Sequence, residues 1–136
     1  MTQKILFSGS RNATPQMLEA TRRYIVERLI GKDVYVIVGD AEGIDTCVIQ
    51  TCDENDIPLE VHGAHDTIRH ITFTGKQVKH PCGYLERDRI MADLIGQTDR
   101  AVIVWNGISR HCGTWATARA VSRNTMNVYW LWAKME

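Results

Sequence analysis

Three glycine-bearing segments of this chain follow apolar runs and precede helical patterns. They are Gly9-Ser10-Arg11, Gly39-Asp40-Ala41-Glu42-Gly43, and Ser109 through Gly113-Thr114. Glycine lets backbone N–H groups approach a ligand closely, and a helix N-terminus adds unpaired N–H donors and a positive dipole end. That combination suits a phosphate. Arg11 reads either as a bidentate phosphate clamp or as a solvated loop residue, and its place at a strand end favours the clamp. Ser10 either donates to the same phosphate or caps the turn that follows. None of the segments has the G-x-x-x-x-G-K-[ST] or G-x-G-x-x-G pattern, so ordinary triphosphatase and dinucleotide readings lose ground.

Other chemistry-bearing residues divide between two roles each. Asp45 opens the helix after the second segment, where it either accepts from a ribose hydroxyl or complements the helix dipole. Glu86 and Arg87 sit together on a later helix, serving a ligand or ordinary surface pairing. Trp105 and Trp115 offer rings for stacking a base, although buried packing is the commoner use. His111 titrates near neutral pH and is either an acid–base group or a bystander. The thiols Cys47, Cys52, Cys82 and Cys112 lack the paired spacing of a structural zinc site. They read as reduced, small buried hydrophobes; no metal and no cofactor is expected.

The elements that must position these residues alternate along the chain. Lys4–Ser8, Val34–Val38, Leu59–His62, Ala101–Trp105 and Asn127–Trp132 read as strands. Thr14-Pro15 supplies an N-cap and a proline for a first helix ending at Gly31, with Leu18, Ile25 and Leu29 as its stripe and Met17, Val26 and Ile30 beside it. Further helices are expected through Ile44, Cys47, Val48 and Cys52, ended by Asn55-Asp56-Ile57-Pro58, from about Tyr84 to Gln97, and from Thr114 to about Arg123. Val34-Tyr35-Val36-Ile37-Val38 is apolar throughout, as a central strand covered on both faces should be. The expectation is a three-layer Rossmann-like α/β sandwich: one domain over 1–136, with a five-stranded, mainly parallel sheet and helices on both faces. Segment 64–83 breaks the rhythm; it holds a candidate short strand at Ile68–Phe73 and reads as a lid or interface insertion.

Sixteen Lys plus Arg balance 16 Asp plus Glu in 136 residues, a net charge of zero. That balance disfavours nucleic-acid binding, which calls for a basic face. No apolar run reaches the ~20 residues that span a bilayer, and Met1 to Phe7 lacks a signal-peptide pattern; a cytoplasmic protein with no membrane association is expected.

In sequence order, Gly9-Ser10-Arg11, Gly39-x-Ala41-x-Gly43-x-Asp45, Glu86-Arg87-x-x-x-Met91, and Ser109 with Gly113-Thr114 resemble the SLOG superfamily. That group unites DNA-processing protein A with the Lonely Guy phosphoribohydrolases, and the small YspA/YpsA-related branch is the nearest in pattern. The resemblance implies a Rossmann-like domain, often dimeric, that binds a nucleotide or nucleotide-derived small molecule. It marks Gly9, Ser10, Arg11, Gly39, Ala41, Gly43, Asp45, Arg87, Ser109, Gly113 and Thr114 as ligand-binding. Lonely Guy enzymes carry Gly-Gly-x-Gly-Thr-x-x-Glu, whose glutamate assists N-glycosidic cleavage. Here that position is Thr117, and Arg110-His111-Cys112 precede Gly113. Threonine neither stabilises a cation-like sugar nor deprotonates water. Ligand binding is therefore the first expectation. The alternative is N-glycosidic hydrolysis or transfer on nucleoside phosphates, with Arg87 and Asp45 as catalytic residues; single-stranded DNA binding ranks third.

Overall fold

A computed structural model describes residues 2–105 and 113–131. Ten elements alternate in the order β1 (Gln3–Gly9), α1 (Pro15–Arg28), β2 (Val34–Val38), α2 (Ile44–Glu54), β3 (Leu59–Gly63), β4 (Lys76–Lys79), α3 (Tyr84–Asp93), β5 (Arg100–Val104), α4 (Gly113–Val121) and β6 (Val128–Leu131). The strands form one sheet in the order β4-β3-β2-β1-β5-β6, and every neighbouring pair is parallel. Chain order reverses at β1, which pairs with β2 on one side (Ile5 opposite Val36) and β5 on the other (Ile5 opposite Arg100).

Successive side chains of a strand point to opposite faces, and the core divides accordingly. Ile5 and Phe7 of β1, Val36 and Val38 of β2, and Val102 and Val104 of β5 pack under α1 and α2 with Met17, Ile25, Ile44 and Val48. Leu6, Ile37, Ala101 and Ile103 face the other way, against Met91 and Ala92 of α3 and Ala118 and Val121 of α4. The result is the expected α/β architecture of helices on both faces of a parallel sheet. No helix among the described residues is long and apolar enough to cross a membrane.

The capping logic holds in detail. Thr14 accepts from the Met17 N–H at 3.2 Å, Pro15 opens α1, and Gly31 beyond its end takes φ +77°. The buried stripe of α1 is Met17, Thr21, Ile25 and then Leu29, a strict i, i+4 row, with Leu18 only partly buried. Val26 and Ile30 lie outside the row and are 43% and 46% exposed. Cys47 and Cys52 are buried on α2, and burial pushes the Cys52 thiol up to about 12, as suits a small apolar filler.

The sheet has six strands rather than five, and the sixth arises within 64–83, at Lys76–Lys79 instead of Ile68–Phe73. The β-branched residues around Thr72 are committed elsewhere. Asp53, on α2, accepts from Thr72 Oγ1 (2.5 Å), Phe73 N (2.9 Å) and Thr74 Oγ1 (2.7 Å), folding that segment into a turn. β4 then pairs with β3, placing Lys76 opposite Glu60 and Val78 opposite His62. Helix α3 stops at Asp93, short of Gln97, because Asp99 accepts from the Gly96 N–H at 2.8 Å and closes a turn there.

Candidate functional site

Two glycines bring the first two loops together. A Cβ on Gly9 would fall 2.3 Å from Ile44 Cβ, so only glycine lets the start of α2 rest against the end of β1. Gly43 has φ +86°, and a Cβ there would lie 2.6 Å from the Arg11 carbonyl oxygen and 2.8 Å from that of Ser10. Gly43 therefore serves the contact between loops and does not itself line the cleft. Gly39 does: a Cβ there would lie 2.8 Å from Asp45 Oδ2 and 3.1 Å from Arg87 Nη1.

The cleft has a volume of about 530 Å³. Gly9, Ser10 and Arg11 line it from the β1 loop, and Gly39, Ala41 and Asp45 from the β2 loop and α2. Arg87 contributes from α3 and Gly113-Thr114 from the start of α4. Nine of the sequence-chosen residues thus meet at one place. Ser109 and His111 lie outside the described residues.

Arg87 is the hub of the site. Its Nε donates to Asp88 Oδ1 at 2.9 Å, and its Nη1 donates to Asp40 Oδ1 at 2.9 Å and to the His62 carbonyl at 3.0 Å. Nη2 has no acceptor among the described residues, on a side chain that lines the cleft. Held at its other nitrogens, the guanidinium can offer this one to an incoming anion without reorganising.

Three carboxylates surround this cation and differ in their protonation. Asp40 is fully buried; burial alone would raise its pKa, but hydrogen bonds from Arg69 and the charges of Arg69 and Arg87 hold it below the ordinary value. Asp45 is 7% exposed, and burial pushes it up to about 7 against the opposing Ala41 N–H and Arg87 charge. Its Oδ2 accepts from Ala41 N at 3.1 Å. Asp88 is also raised by burial, although the charge and hydrogen bond of Arg87 oppose the shift. The cleft therefore combines a fixed cation with carboxyl groups that hold protons unusually well.

Sequence reasoning missed Tyr84, Asp40 and Arg69. Tyr84 lines the cleft, and its ring carries the guanidinium carbons of Arg69, Arg87 and Arg11 at 4.3, 5.2 and 5.9 Å from its centroid. Asp40 carried one signal, a carboxylate directly after an all-apolar strand. Arg69 carried none, because its segment has no periodicity. Trp105 and Trp115 instead pack with Trp130, with ring centroids 5.0, 5.7 and 6.0 Å apart, and neither lines the cleft. Thr117 is 1% exposed and lies beside Asp88, whose carboxyl it helps to hold down against the effect of burial. Among the described residues no cluster of His, Cys, Asp and Glu is arranged to hold a metal ion. No protein-family model matches the chain, and no curated protein matches it.

Proposed function

We propose that the protein binds a nucleotide, or a phosphate-bearing molecule derived from one, in the cleft at the carboxyl ends of β1 and β2. One observation carries the reading: two strand-end loops, the start of α4 and Arg87 all converge on the same cavity. In open parallel sheets, ligands sit beyond the carboxyl strand ends where strand order reverses, which here is at β1. Backbone donors, Arg11 and the Nη2 of Arg87, which has no acceptor among the described residues, suit a phosphate; Asp45 and Asp88 suit the hydroxyls of an attached sugar. The motif resemblance to the SLOG superfamily supports the same ligand class.

Thermal denaturation with a panel of nucleoside monophosphates tests this. Saturation at ~100 Kd adds about 2.7 kcal/mol to a one-site binder. Arg11→Ala and Gly113→Asp are expected to abolish that stabilisation while leaving the unliganded protein folded. Gly113→Asp puts a carboxylate at a position where a Cβ would lie 3.3 Å from Asp88 Oδ2. Undiminished stabilisation in both variants, or none in the wild type with any nucleotide, rejects the reading.

A second reading, cleavage of an N-glycosidic bond, is favoured by Asp45, a cleft-lining carboxyl poised at about 7. A carboxyl near the working pH serves proton transfer well. Chromatography of incubated nucleoside monophosphates decides it: free base released by the wild type and not by Asp45→Asn supports cleavage, and no release rejects it.

A further inference from the structure

Asp40 lies just beyond the end of β2, is fully buried, and accepts from two guanidinium groups at once. Arg87 Nη1 reaches its Oδ1 at 2.9 Å, and Arg69 Nη2 and Nε reach the same oxygen at 2.8 and 3.1 Å. Two cations therefore share one buried carboxylate, the first from α3 and the second from segment 64–83. Only the first belongs to the cleft: Arg87 lines it and Arg69 does not.

The charges of this group decide what the cleft offers an anion. Arg87 also donates from Nε to Asp88 Oδ1 at 2.9 Å, so it stands between two carboxylates. With both ionised, Arg69, Arg87, Asp40 and Asp88 balance to zero. Without Arg69 the same group is net negative, and the excess sits beside the side chain that must attract the phosphate. A buried charge stripped of a partner is poorly screened, and its field extends to its neighbours. Segment 64–83 also bears on the wall of the cleft. The Arg69 guanidinium carbon is 4.3 Å from the centroid of the cleft-lining Tyr84 ring, and the His65 ring meets the same ring edge-on at 5.1 Å.

We infer that Arg69 is a positioning residue for ligand binding: by neutralising Asp40 it leaves the charge of Arg87 to the phosphate, while itself standing outside the cavity. The inference rests on the nucleotide reading of the main cleft. It gives segment 64–83 a part in binding, and it separates two uses of one side chain. The fold uses the guanidinium fork on Asp40; the ligand responds to the positive charge.

Calorimetric titration of the full chain with adenosine, guanosine, cytidine and uridine 5′-monophosphates tests this, following whichever binds the wild type most tightly. Arg69→Gln, whose amide still donates to Asp40 but carries no charge, is expected to weaken binding about tenfold. Arg69→Lys restores the charge without the fork and is expected to stay within about threefold of the wild type. Adding Asp40→Asn to Arg69→Gln removes the unmatched carboxylate and is expected to recover most of the lost affinity, which loosened packing alone would not do. Asp40→Asn by itself leaves both cations and is expected to bind at least as tightly as the wild type, so the test survives if Arg69→Gln does not fold. Asp53→Ala frees the same segment at residues 72–74 and is expected to leave affinity unchanged. Full affinity in Arg69→Gln, no recovery in the double variant, weaker binding by Asp40→Asn, or an equal loss in Asp53→Ala overturns the positioning role. Monophosphate binding that still needs Arg11 then leaves the nucleotide reading standing. No binding of any monophosphate by the wild type overturns both.

Discussion

Arg69 and Asp40, 29 residues apart in the chain, are joined by three hydrogen bonds: the Arg69 backbone N–H to Oδ2 at 2.7 Å, and Nε and Nη2 to Oδ1 at 3.1 and 2.8 Å. Asp40 is thereby the tether between segment 64–83 and the β2 loop, and its Oδ1 also accepts from Arg87. Arg69→Ala is expected to lower unfolding free energy by about 1–3 kcal/mol, since a buried carboxylate loses one of its two cations. Arg69→Lys should recover only part, because an ammonium lacks the guanidinium fork. Urea unfolding of the two variants checks the order; a lysine variant as stable as wild type contradicts it.

Asp45 ties stability to pH. Its pKa is about 7 in the folded protein against an ordinary 3.8, so the folded chain keeps a proton that the unfolded chain has already lost. Stability contributed by this residue is therefore present below about pH 4, declines as pH rises, and is gone above about 7. Asp45→Asn keeps an acceptor for the Ala41 N–H and has no proton to lose. The variant is expected to exceed wild type by roughly 2–4 kcal/mol at pH 8 and to match it at pH 4. Denaturant titrations at the two pH values check this, and a gap that does not widen with pH refutes it.

The loop glycines should separate fold from site. Gly9→Ala drives a methyl against Ile44 Cβ, which cannot swing away, so a loss of about 2 kcal/mol or more is expected. Gly39→Ala meets the polar ends of Asp45 and Arg87 rather than core carbon, so it displaces the cleft's charged groups and leaves the core packing in place. Its melting temperature should fall little while nucleotide-induced stabilisation is lost. Melting curves with and without nucleotide distinguish the two, and similar behaviour in both respects argues against the division.

Asp53 governs the turn that precedes β4. Burial would raise its pKa, yet bonds from Thr72, Phe73 and Thr74 outweigh burial and hold it below the usual carboxylate range. That contribution is present above the ordinary carboxylate pKa and fades as pH falls through the lowered one. Asp53→Ala should speed amide exchange across residues 72–79 and cost about 1–2 kcal/mol. Exchange unchanged in that segment counts against the role.

Legibility followed physical locality. β1, β2 and β5 were readable because strands covered on both faces have apolar centres, Ile5–Phe7, Val34–Val38 and Ala101–Val104, and each run ends at a sharp break. The cleft residues on the first two loops were readable for the same reason: a parallel sheet gathers its carboxyl ends. β4 was not, since Lys76, Gln77 and Lys79 are exposed and carry no apolar alternation. Neither was the part played by Arg69, because its partner Asp40 is distant in sequence and only the folded chain relates them. Gly43 looked like a ligand contact from its motif, whereas the backbone of Arg11 occupies the space that makes it glycine.

The same polar β4 has a consequence for how molecules meet one another. It is the last strand on its flank, with four residues and two solvent-facing lysines. A foreign strand aligning there would have to strip water from both ammonium groups to reach the open backbone amides. That flank is thereby insulated from the end-to-end stacking through which exposed strands grow into fibrils.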